Sequence, residues 1–161
     1  MIHRYLLSKI HYHYYLLTGS ISHKHDLAVG VAIKRMARDV NIGIDLEKID
    51  NPASHLLRNR LLTDQEQSSL GRLTPEVTTE QEVLLRFSFK ESVFKAMHPH
   101  LQRHVDFQEV EVFPNRDGTA FLNFRLKTKE LFEQKCQWSL LPPHYFLTCV
   151  ALSNKHYNSC D

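Results

Sequence analysis

The chain has 161 residues, of which 42% are hydrophobic and 24% are charged. This length and this balance are typical of one soluble globular domain with a hydrophobic core of its own. The formal net charge is only +2. It argues against a nucleic-acid-binding protein, because such proteins present a clustered basic face.

Cysteine usage and hydropathy exclude two further classes. The three cysteines, Cys136, Cys149 and Cys160, are odd in number and lack Cys-x-x-Cys spacing, so neither a disulfide framework nor a zinc site is indicated. No apolar run approaches the roughly eighteen residues of a membrane helix, and the N-terminus lacks the pattern of a secretory signal. We therefore expect no membrane span and a cytoplasmic location.

Eleven histidines raise the question of a metal site. Several lie in pairs two residues apart, but no cysteine or carboxylate stands at the spacing of a zinc-binding motif. We assign these pairs to surface and loop positions. They are His11 with His13, His23 with His25, and His98 with His100.

The first predicted element in chain order is a small-residue turn at residues 19–23, Gly-Ser-Ile-Ser-His. Serine hydroxyls, backbone N–H groups and an imidazole in such a turn can bind phosphate oxygens. An ordinary surface position is the alternative for His23. Apolar runs at residues 27–33 and 42–46 then predict two strands.

The middle of the chain predicts two short helices. Leu56 and Leu61 belong to a stretch with helical rhythm. Thr63-x-x-Glu66 is typical of a capping box, in which each of the two side chains accepts a hydrogen bond from the other residue's backbone. The helix that follows this box is expected to end at Gly71.

A third helix is predicted to be the longest. Thr74-Pro75 is typical of a helix entry, Thr79 offers a second possible cap through Glu82, and Pro99 marks the end. Apolar residues recur at helical intervals in this stretch and should face the core. They are Val83, Phe87, Phe94 and Met97.

From Phe107 the apolar period changes to two, which predicts strands. Val110 and Val112 precede a Pro-Asn-Arg-Asp-Gly turn at residues 114–118, and alternating apolar residues continue through 120–126. These two segments should form a hairpin.

The last third predicts a helical segment at residues 131–132, strands at 136–140 and 145–152, and a frayed polar tail at 153–161. Together the elements predict an α+β fold, mainly an antiparallel sheet packed on one long helix.

Two acidic stretches carry the candidate chemistry. Asp45 and Glu47 lie two residues apart in an apolar strand, so both should point to one face. Glu91 and Lys95 lie four apart, on one side of the long helix. Their convergence would suit Mg²⁺ with a phosphate-bearing substrate, because Mg²⁺ takes few carboxylates and fills its other positions with water and phosphate oxygens. The alternative is structural: a solvated strand end and an ordinary helix-surface ion pair.

Three segments in this order closely resemble the 4′-phosphopantetheinyl transferases. They are Gly-Ser-Ile-Ser-His at 19–23, Gly-Ile-Asp-Leu-Glu at 43–47 and Phe-Ser-Phe-Lys-Glu-Ser-Val-Phe-Lys-Ala at 87–96. The first and third are most similar to the branch of enterobactin synthase component D, which serves siderophore assembly lines. The resemblance extends over residues 16–152, which we take as a partial transferase domain, with residues 1–15 unmatched.

The resemblance implies an activity and its participants. Members of the family move the phosphopantetheine arm of coenzyme A onto a serine of an acyl or peptidyl carrier protein, and release adenosine 3′,5′-bisphosphate. It implies that Mg²⁺ is the cofactor, that coenzyme A is the donor and that the carrier protein is the partner. Siderophore or nonribosomal peptide synthesis is the implied setting.

The resemblance also implies roles for individual residues. Asp45, Glu47 and Glu91 would bind Mg²⁺, and Ser22 and His23 would contact phosphates of coenzyme A. Lys95 would neutralise the diphosphate as it breaks, Glu91 would accept the proton of the carrier serine, and Glu66 is a weaker catalytic candidate with the capping box as its alternative.

The chain departs from this branch in one respect. Branch members are pseudo-dimers whose first half binds the adenine end of coenzyme A, and here the match begins near residue 16, so we expect most of that half to be missing. The small holo-acyl-carrier-protein synthases of the family build sites between subunits of a trimer, so a homo-oligomer could complete this one.

Two rival functions stay open. One is a catalytically inactive remnant that only binds a carrier protein or another subunit. The other is a Mg²⁺-dependent nuclease, because Asp45-x-Glu47-Lys48 is similar to carboxylate and lysine metal sites.

Overall fold

The computed structural model describes residues 17–34, 40–49, 54–101, 103–126 and 131–154. The described chain contains seven strands and three α-helices. In order they are β1 (Leu17–Lys24), β2 (Leu27–Lys34), β3 (Val40–Lys48), α1 (Ser54–Leu61), α2 (Asp64–Ser68), α3 (Thr79–Leu101), β4 (Val110–Pro114), β5 (Ala120–Phe124), β6 (Phe132–Leu141) and β7 (Tyr145–Asn154). The unmatched segment 1–15 lies outside the described residues.

The strands of the described residues pair antiparallel and fall into three sheets. A central sheet has the order β3-β7-β6, while β1 pairs with β2 and β4 pairs with β5. The hairpin of β4 and β5 adjoins the central sheet through a bridge between Thr119 and Gln137. The predicted α+β class, with antiparallel sheet packed on one long helix, is confirmed.

The long helix α3 lies at the centre of the core. Its apolar side chains pack against the faces of the central sheet and of the β4–β5 hairpin that point toward it. Leu85, Phe89 and Val93 of the helix, and Phe146 and Val150 of β7, have no exposed surface. Burial of these side chains is the main stabilising term of the fold.

Most predicted strands are confirmed, but the predicted turn at residues 19–23 is wrong. This segment belongs to β1, and the chain reverses at His25 and Asp26, where His25 has a φ of 53°. Ser20 and Ser22 alternate with exposed residues, which is strand periodicity. Glycine and serine are typical of turns, and the one apolar residue between the serines, Ile21, is not enough to mark a strand.

The limits of the long helix also differ from the prediction. Thr74-Pro75 does not begin it, because α3 starts at Thr79. Its cap is Thr78, whose Oγ1 accepts from Gln81 N while Gln81 Oε1 accepts from Thr78 N. Glu82, the expected partner of a Thr79 cap, instead accepts a hydrogen bond from Gly71 N.

Two smaller predictions are corrected. The helix that follows Thr63 ends at Ser68, and Gly71 lies in the turn beyond it with a φ of 75°. The helical segment predicted at 131–132 is wrong, since Phe132 begins β6 and its ring lies 5.3 Å from that of Phe124. The predicted tail overlaps β7 at Ser153 and Asn154, and its residues from 155 onward lie outside the described part of the chain.

The predicted capping box is confirmed, and it belongs to a buried ionic network. Thr63 and Glu66 exchange the two hydrogen bonds of the box. Glu66 Oε1 also accepts from Val112 N, and its Oε2 lies 2.8 Å from Lys90 Nζ. Lys90 Nζ donates further to the carbonyl oxygens of Leu61 and Phe107. Burial lowers the pKa of Lys90, while the carboxylate of Glu66 opposes this shift.

Gly43 sets the distance between β3 and α3. A Cβ atom at this position would overlap the carbonyl oxygen of Ser92 and lie 2.8 Å from Ala96 N. Only hydrogen fits there, so the helix backbone can lie directly on the strand. This close approach brings the side chains of α3 within reach of β3.

We expect Gly43→Ala to destabilise the fold by about 1–3 kcal/mol, because the added methyl group must push the helix away from the strand. Urea unfolding followed by circular dichroism measures this. Gly30→Ala is the matched control, since a Cβ there has its nearest neighbour 3.8 Å away and should change stability by less than about 0.5 kcal/mol. Equal stability of both variants would contradict the proposed contact.

We expect Lys90→Met to cost about 3–5 kcal/mol, because it leaves the Glu66 carboxylate buried without its cation. Adding Glu66→Gln to Lys90→Met should recover part of this loss, since the remaining group is then uncharged. Arg103→Ala, which breaks the partly exposed pair with Glu109, is the control and should cost about 1 kcal/mol or less. The denaturant midpoints of the three variants measure whether their losses of stability follow this ranking.

Candidate active site at the junction of β1, β3 and α3

The candidate site is built where three elements meet. Asp45 and Glu47 alternate with Ile44 and Leu46 along β3, and their side chains lie on the face toward α3. Both carboxylates are nearly buried, with 6% of Asp45 and 5% of Glu47 exposed. The predicted common face of the two carboxylates is therefore confirmed.

Asp45 of β3 receives hydrogen bonds from the other two elements, β1 and α3. Its Oδ1 accepts from Ser22 Oγ of β1 at 3.0 Å and from Lys95 Nζ of α3 at 2.9 Å. Its Oδ2 accepts from Ser88 Oγ at 3.0 Å. These donors fix the orientation of the carboxylate.

Behind Asp45 lies a buried row of hydroxyl groups. Ser88 Oγ is 2.9 Å from Thr148 Oγ1, which is 2.8 Å from Ser92 Oγ. Ser88 donates to Asp45, so its oxygen accepts from Thr148 Oγ1. Ser92 Oγ lies beside Thr148 Oγ1 and also donates to the carbonyl oxygen of Thr148 at 3.2 Å. All three side chains are fully buried and act by holding Asp45 in place.

Strand β1 lies alongside the open edge of β3 without backbone pairing. Ser20 Oγ accepts from Ile44 N at 3.0 Å, and Ser22 Oγ accepts from Leu46 N at 3.1 Å. Lys95 Nζ donates to the carbonyl oxygen of Ile44 at 2.8 Å on the same edge. Side chains thus take the place of a neighbouring strand and satisfy backbone groups that would otherwise be unpaired.

Glu47 is paired with Lys24 at the end of β1. Lys24 Nζ lies 3.1 Å from Oε1 and 2.8 Å from Oε2, but only Oε1 accepts a hydrogen bond of good geometry. Among the described residues, Oε2 is buried and has no hydrogen-bond donor. Burial raises the pKa of Glu47, while the ammonium group of Lys24 opposes this shift. The Glu47 carboxylate is therefore ion-paired with Lys24 while Oε2 is left without a well-aligned hydrogen bond.

The remaining predicted residues are placed differently. Glu91 is half-buried and lies three residues from Ser88 and four from Lys95, on the side of α3 that faces β3. His23 is exposed, on the opposite face of β1 from Ser22. Glu66 belongs to the buried network with Lys90, away from these contacts.

Within the described part of the chain, no three His, Cys, Asp or Glu side chains already form a cluster that could hold a metal ion. The donor set nevertheless fits Mg²⁺, because Glu47 Oε2 is buried without a donor and Mg²⁺ needs only one or two carboxylates beside phosphate and water. A site with Asp45, Glu47 and Glu91 as three ligands stays a prediction.

Sequence reasoning missed five residues of this arrangement: Lys24, Ser20, Ser88, Ser92 and Thr148. The period of two in Ser20, Ser22 and Lys24 was a signal for the strand face. The positions of Ser88, Ser92 and Lys95, four and then three apart, marked one helix face. Thr148 had no sequence signal, because only strand pairing places it opposite Asp45.

No helix in the described residues is long and apolar enough to span a membrane.

Two curated relatives are each similar to about half of this chain. The holo-[acyl-carrier-protein] synthase of Geobacillus kaustophilus (strain HTA426) is 34% identical over 85 residues, 49% of this chain and 64% of the relative. That of Limosilactobacillus fermentum (strain NBRC 3956 / LMG 18251) is 35% identical over 82 residues, 48% of this chain and 68% of the relative.

Two solved structures share the fold. The apo-ACPS structure of Chronobacterium ammoiniagenes has a TM-score of 0.58 at 19% identity, covering 74% of this chain and 99% of its own. The holo-(acyl-carrier-protein) synthase of Bacillus anthracis str. Ames, in complex with CoA (3′,5′-ADP), has a TM-score of 0.51 at 23% identity, covering 70% and 94%.

The family comparison covers the strand and helix that form the site. The model of the 4′-phosphopantetheinyl transferase superfamily matches residues 41–150, which include β3, α3 and most of β7. The chain belongs to the 4′-phosphopantetheinyl transferase superfamily.

Proposed function

We propose that this protein transfers the 4′-phosphopantetheine group of coenzyme A to a serine of a carrier protein. The observation that carries the proposal is the Asp45 carboxylate, held between Ser22, Ser88 and Lys95, with a second buried carboxylate, Glu47, on the same face of β3. Family membership and similarity to holo-[acyl-carrier-protein] synthases support it.

The reaction exchanges one phosphorus–oxygen bond for another. The carrier serine oxygen attacks the phosphorus that bears the pantetheine arm, and the bridging bond of the diphosphate breaks to release adenosine 3′,5′-bisphosphate. In-line positioning and neutralisation of charge are the main contributions of a protein to such a transfer. Bound Mg²⁺, held by Asp45 and Glu47, would supply positive charge at the diphosphate.

The protein's own residues supply the remaining functions. Lys95 has about a third of its side chain exposed, so its ammonium group can contact a diphosphate while it stays near Asp45. Glu91 is the proposed base for the serine proton, because a serine hydroxyl is a weak nucleophile near neutral pH. His23 is exposed and available to a phosphate of coenzyme A.

We assign Ser22 and Glu66 to positioning. Ser22 Oγ already donates to Asp45 and accepts from Leu46 N, so it acts on coenzyme A through the Asp45 carboxylate. Both oxygens of Glu66 are occupied by Val112 N and by Thr63 N and Lys90. These contacts favour the capping role over a catalytic one.

The extent of the domain, its location and its assembly belong to the same proposal. We place the transferase domain at residues 16–152, because β1 supplies contacts to both carboxylates of β3. A cytoplasmic location fits the free thiols of Cys136 and Cys149. Self-association would cover Leu17 and Ile21, which are 66% and 58% exposed on β1.

The direct test combines the protein with coenzyme A, MgCl₂ and an apo-carrier protein, and follows the carrier by mass spectrometry. We expect Asp45→Asn and Glu91→Gln to lose modification of the carrier by a factor of about 100 or more, since each removes a charge from the reacting centre. Glu76→Gln, in an exposed loop before α3, is the control and should retain full activity. An unmodified carrier with the unaltered protein would favour an inactive remnant.

The branch and the carrier class need a separate comparison. The amino-acid sequence of residues 19–23 and 87–92 supports an enterobactin-type branch and a siderophore or nonribosomal peptide carrier. The curated relatives, by contrast, are holo-[acyl-carrier-protein] synthases. Parallel assays with a peptidyl carrier and an acyl carrier of fatty-acid synthesis distinguish the two. We expect the peptidyl carrier to give the higher kcat/KM; preference for the acyl carrier would overturn that finer assignment.

A further inference from the structure

Lys24 is the residue of the site for which neither the family motifs nor the reaction above provide a role. It ends β1, and its ammonium group lies 2.8 Å from Glu47 Oε2, the buried oxygen to which no described residue donates a well-aligned hydrogen bond. A divalent cation that binds Glu47 must occupy the space next to this oxygen. Lys24 and the cation therefore compete for one carboxylate.

The neighbouring carboxylate, that of Asp45, is also ion-paired with a lysine. Asp45 Oδ1 lies 2.9 Å from Lys95 Nζ. Each carboxylate of β3 thus has one lysine partner before any cation binds. A lone divalent cation would meet two ammonium groups at short distance, and the repulsion weakens its binding in this partly buried setting.

A bound diphosphate reduces the repulsion between the divalent cation and the two ammonium groups. Its oxygens offer negative charge to the cation and to the displaced lysines at the same time. Lys24 can make this exchange because 31% of its side chain is exposed and its four-carbon stem is flexible. The cation and the diphosphate should therefore bind more tightly together than separately.

The backbone that carries Lys24 is fixed, so the exchange needs only a side-chain movement. Ser20 and Ser22 bind the edge of β3 at Ile44 and Leu46, on the side of β1 that also presents Lys24. The turn after Lys24 is held by a hydrogen bond from Tyr145 Oη to Asp26 Oδ1 at 3.3 Å.

We propose that Lys24 is a positioning residue that keeps a lone divalent cation from Glu47 and admits the cation together with a diphosphate, whose oxygens then take up the lysine. This inference rests on the proposed function, since it assumes that Glu47 binds the cation. It makes Lys24 a determinant of coupling between metal and substrate, a role distinct from proton transfer.

The test measures Mn²⁺ binding by electron paramagnetic resonance, with MnCl₂ alone and with coenzyme A added. For the unaltered protein we expect weak binding of Mn²⁺ alone and an affinity higher on the order of tenfold with coenzyme A, within the usual range of coupling between ligands. Lys24→Met should bind Mn²⁺ alone more tightly and show a smaller gain from coenzyme A. By reciprocity, Mn²⁺ should raise the affinity for coenzyme A less in this variant.

Two control variants separate this role from a general charge effect. Lys24→Arg keeps the cation at Glu47 and should behave as the unaltered protein. Lys135→Met removes an exposed lysine from β6, on the sheet face away from α3, and should leave both binding constants unchanged. Mn²⁺ should also raise the Tm of Lys24→Met more than that of the unaltered protein, because it restores a cation to Glu47.

Equal Mn²⁺ affinity and equal coupling in Lys24→Met and the unaltered protein would overturn the inference, as would weaker Mn²⁺ binding in the variant. These outcomes are separable from failure of the proposed function. If the unaltered protein modifies its carrier and Lys24→Met shows unchanged coupling, only the role of Lys24 fails. If no carrier is modified, the proposed function fails whatever the Mn²⁺ measurement gives.

Discussion

The close approach of α3 to β3 at Gly43 is the constraint on which the candidate site depends. Because a side chain there would overlap the Ser92 carbonyl, the helix can lie on the strand at backbone contact. One strand period further on, Asp45 then meets Ser88 and Lys95 of the helix. The absence of a side chain at Gly43 thus allows the short distance between helix and strand, and this distance allows the hydrogen bonds that orient Asp45.

The site is also notable for the way a strand edge is closed. Backbone groups at the edge of a sheet must be paired or solvated, and a neighbouring strand is the usual solution. Here Ser20 and Ser22 accept the N–H groups of Ile44 and Leu46, while Lys95 donates to a carbonyl. The same serine that closes the edge also donates to Asp45, so edge protection and carboxylate orientation are achieved by one side chain.

The ion pairs of the protein differ in how far their lysines are exposed to solvent. The pair of Glu66 and Lys90 is fully buried, with each polar atom satisfied by further partners, and it joins α2, α3 and β4 into one unit. The pairs of β3 with Lys24 and Lys95 are partly exposed on the lysine side, so their cations can exchange partners. The buried pair is costly to break because either charge would be left buried alone, whereas the lysines of the two β3 pairs remain in contact with solvent.

Local sequence patterns determined the elements and the acidic candidates. Apolar runs predicted the strands at residues 27–33 and 42–46, the period of two predicted the hairpin after Phe107, and the spacing of Thr63 and Glu66 predicted the capping box. Each of these signals depends only on residues near in sequence. The alternation of Asp45 and Glu47 gave their common face for the same reason. The strand at residues 19–23 was missed, since its small polar residues lack the apolar alternation that marks a strand.

Tertiary structure alone decided which groups surround the carboxylates. Ser22 and Ser88 lie 23 and 43 residues along the chain from Asp45, and Thr148 lies 60 residues from Ser88. No local pattern encodes contacts over such separations. Lys24 lies opposite Glu47 only because β1 runs along the edge of β3. The sequence by itself determined the chemical groups available, whereas packing determined their partners, because hydrogen bonds and burial depend on distances that only the folded chain sets.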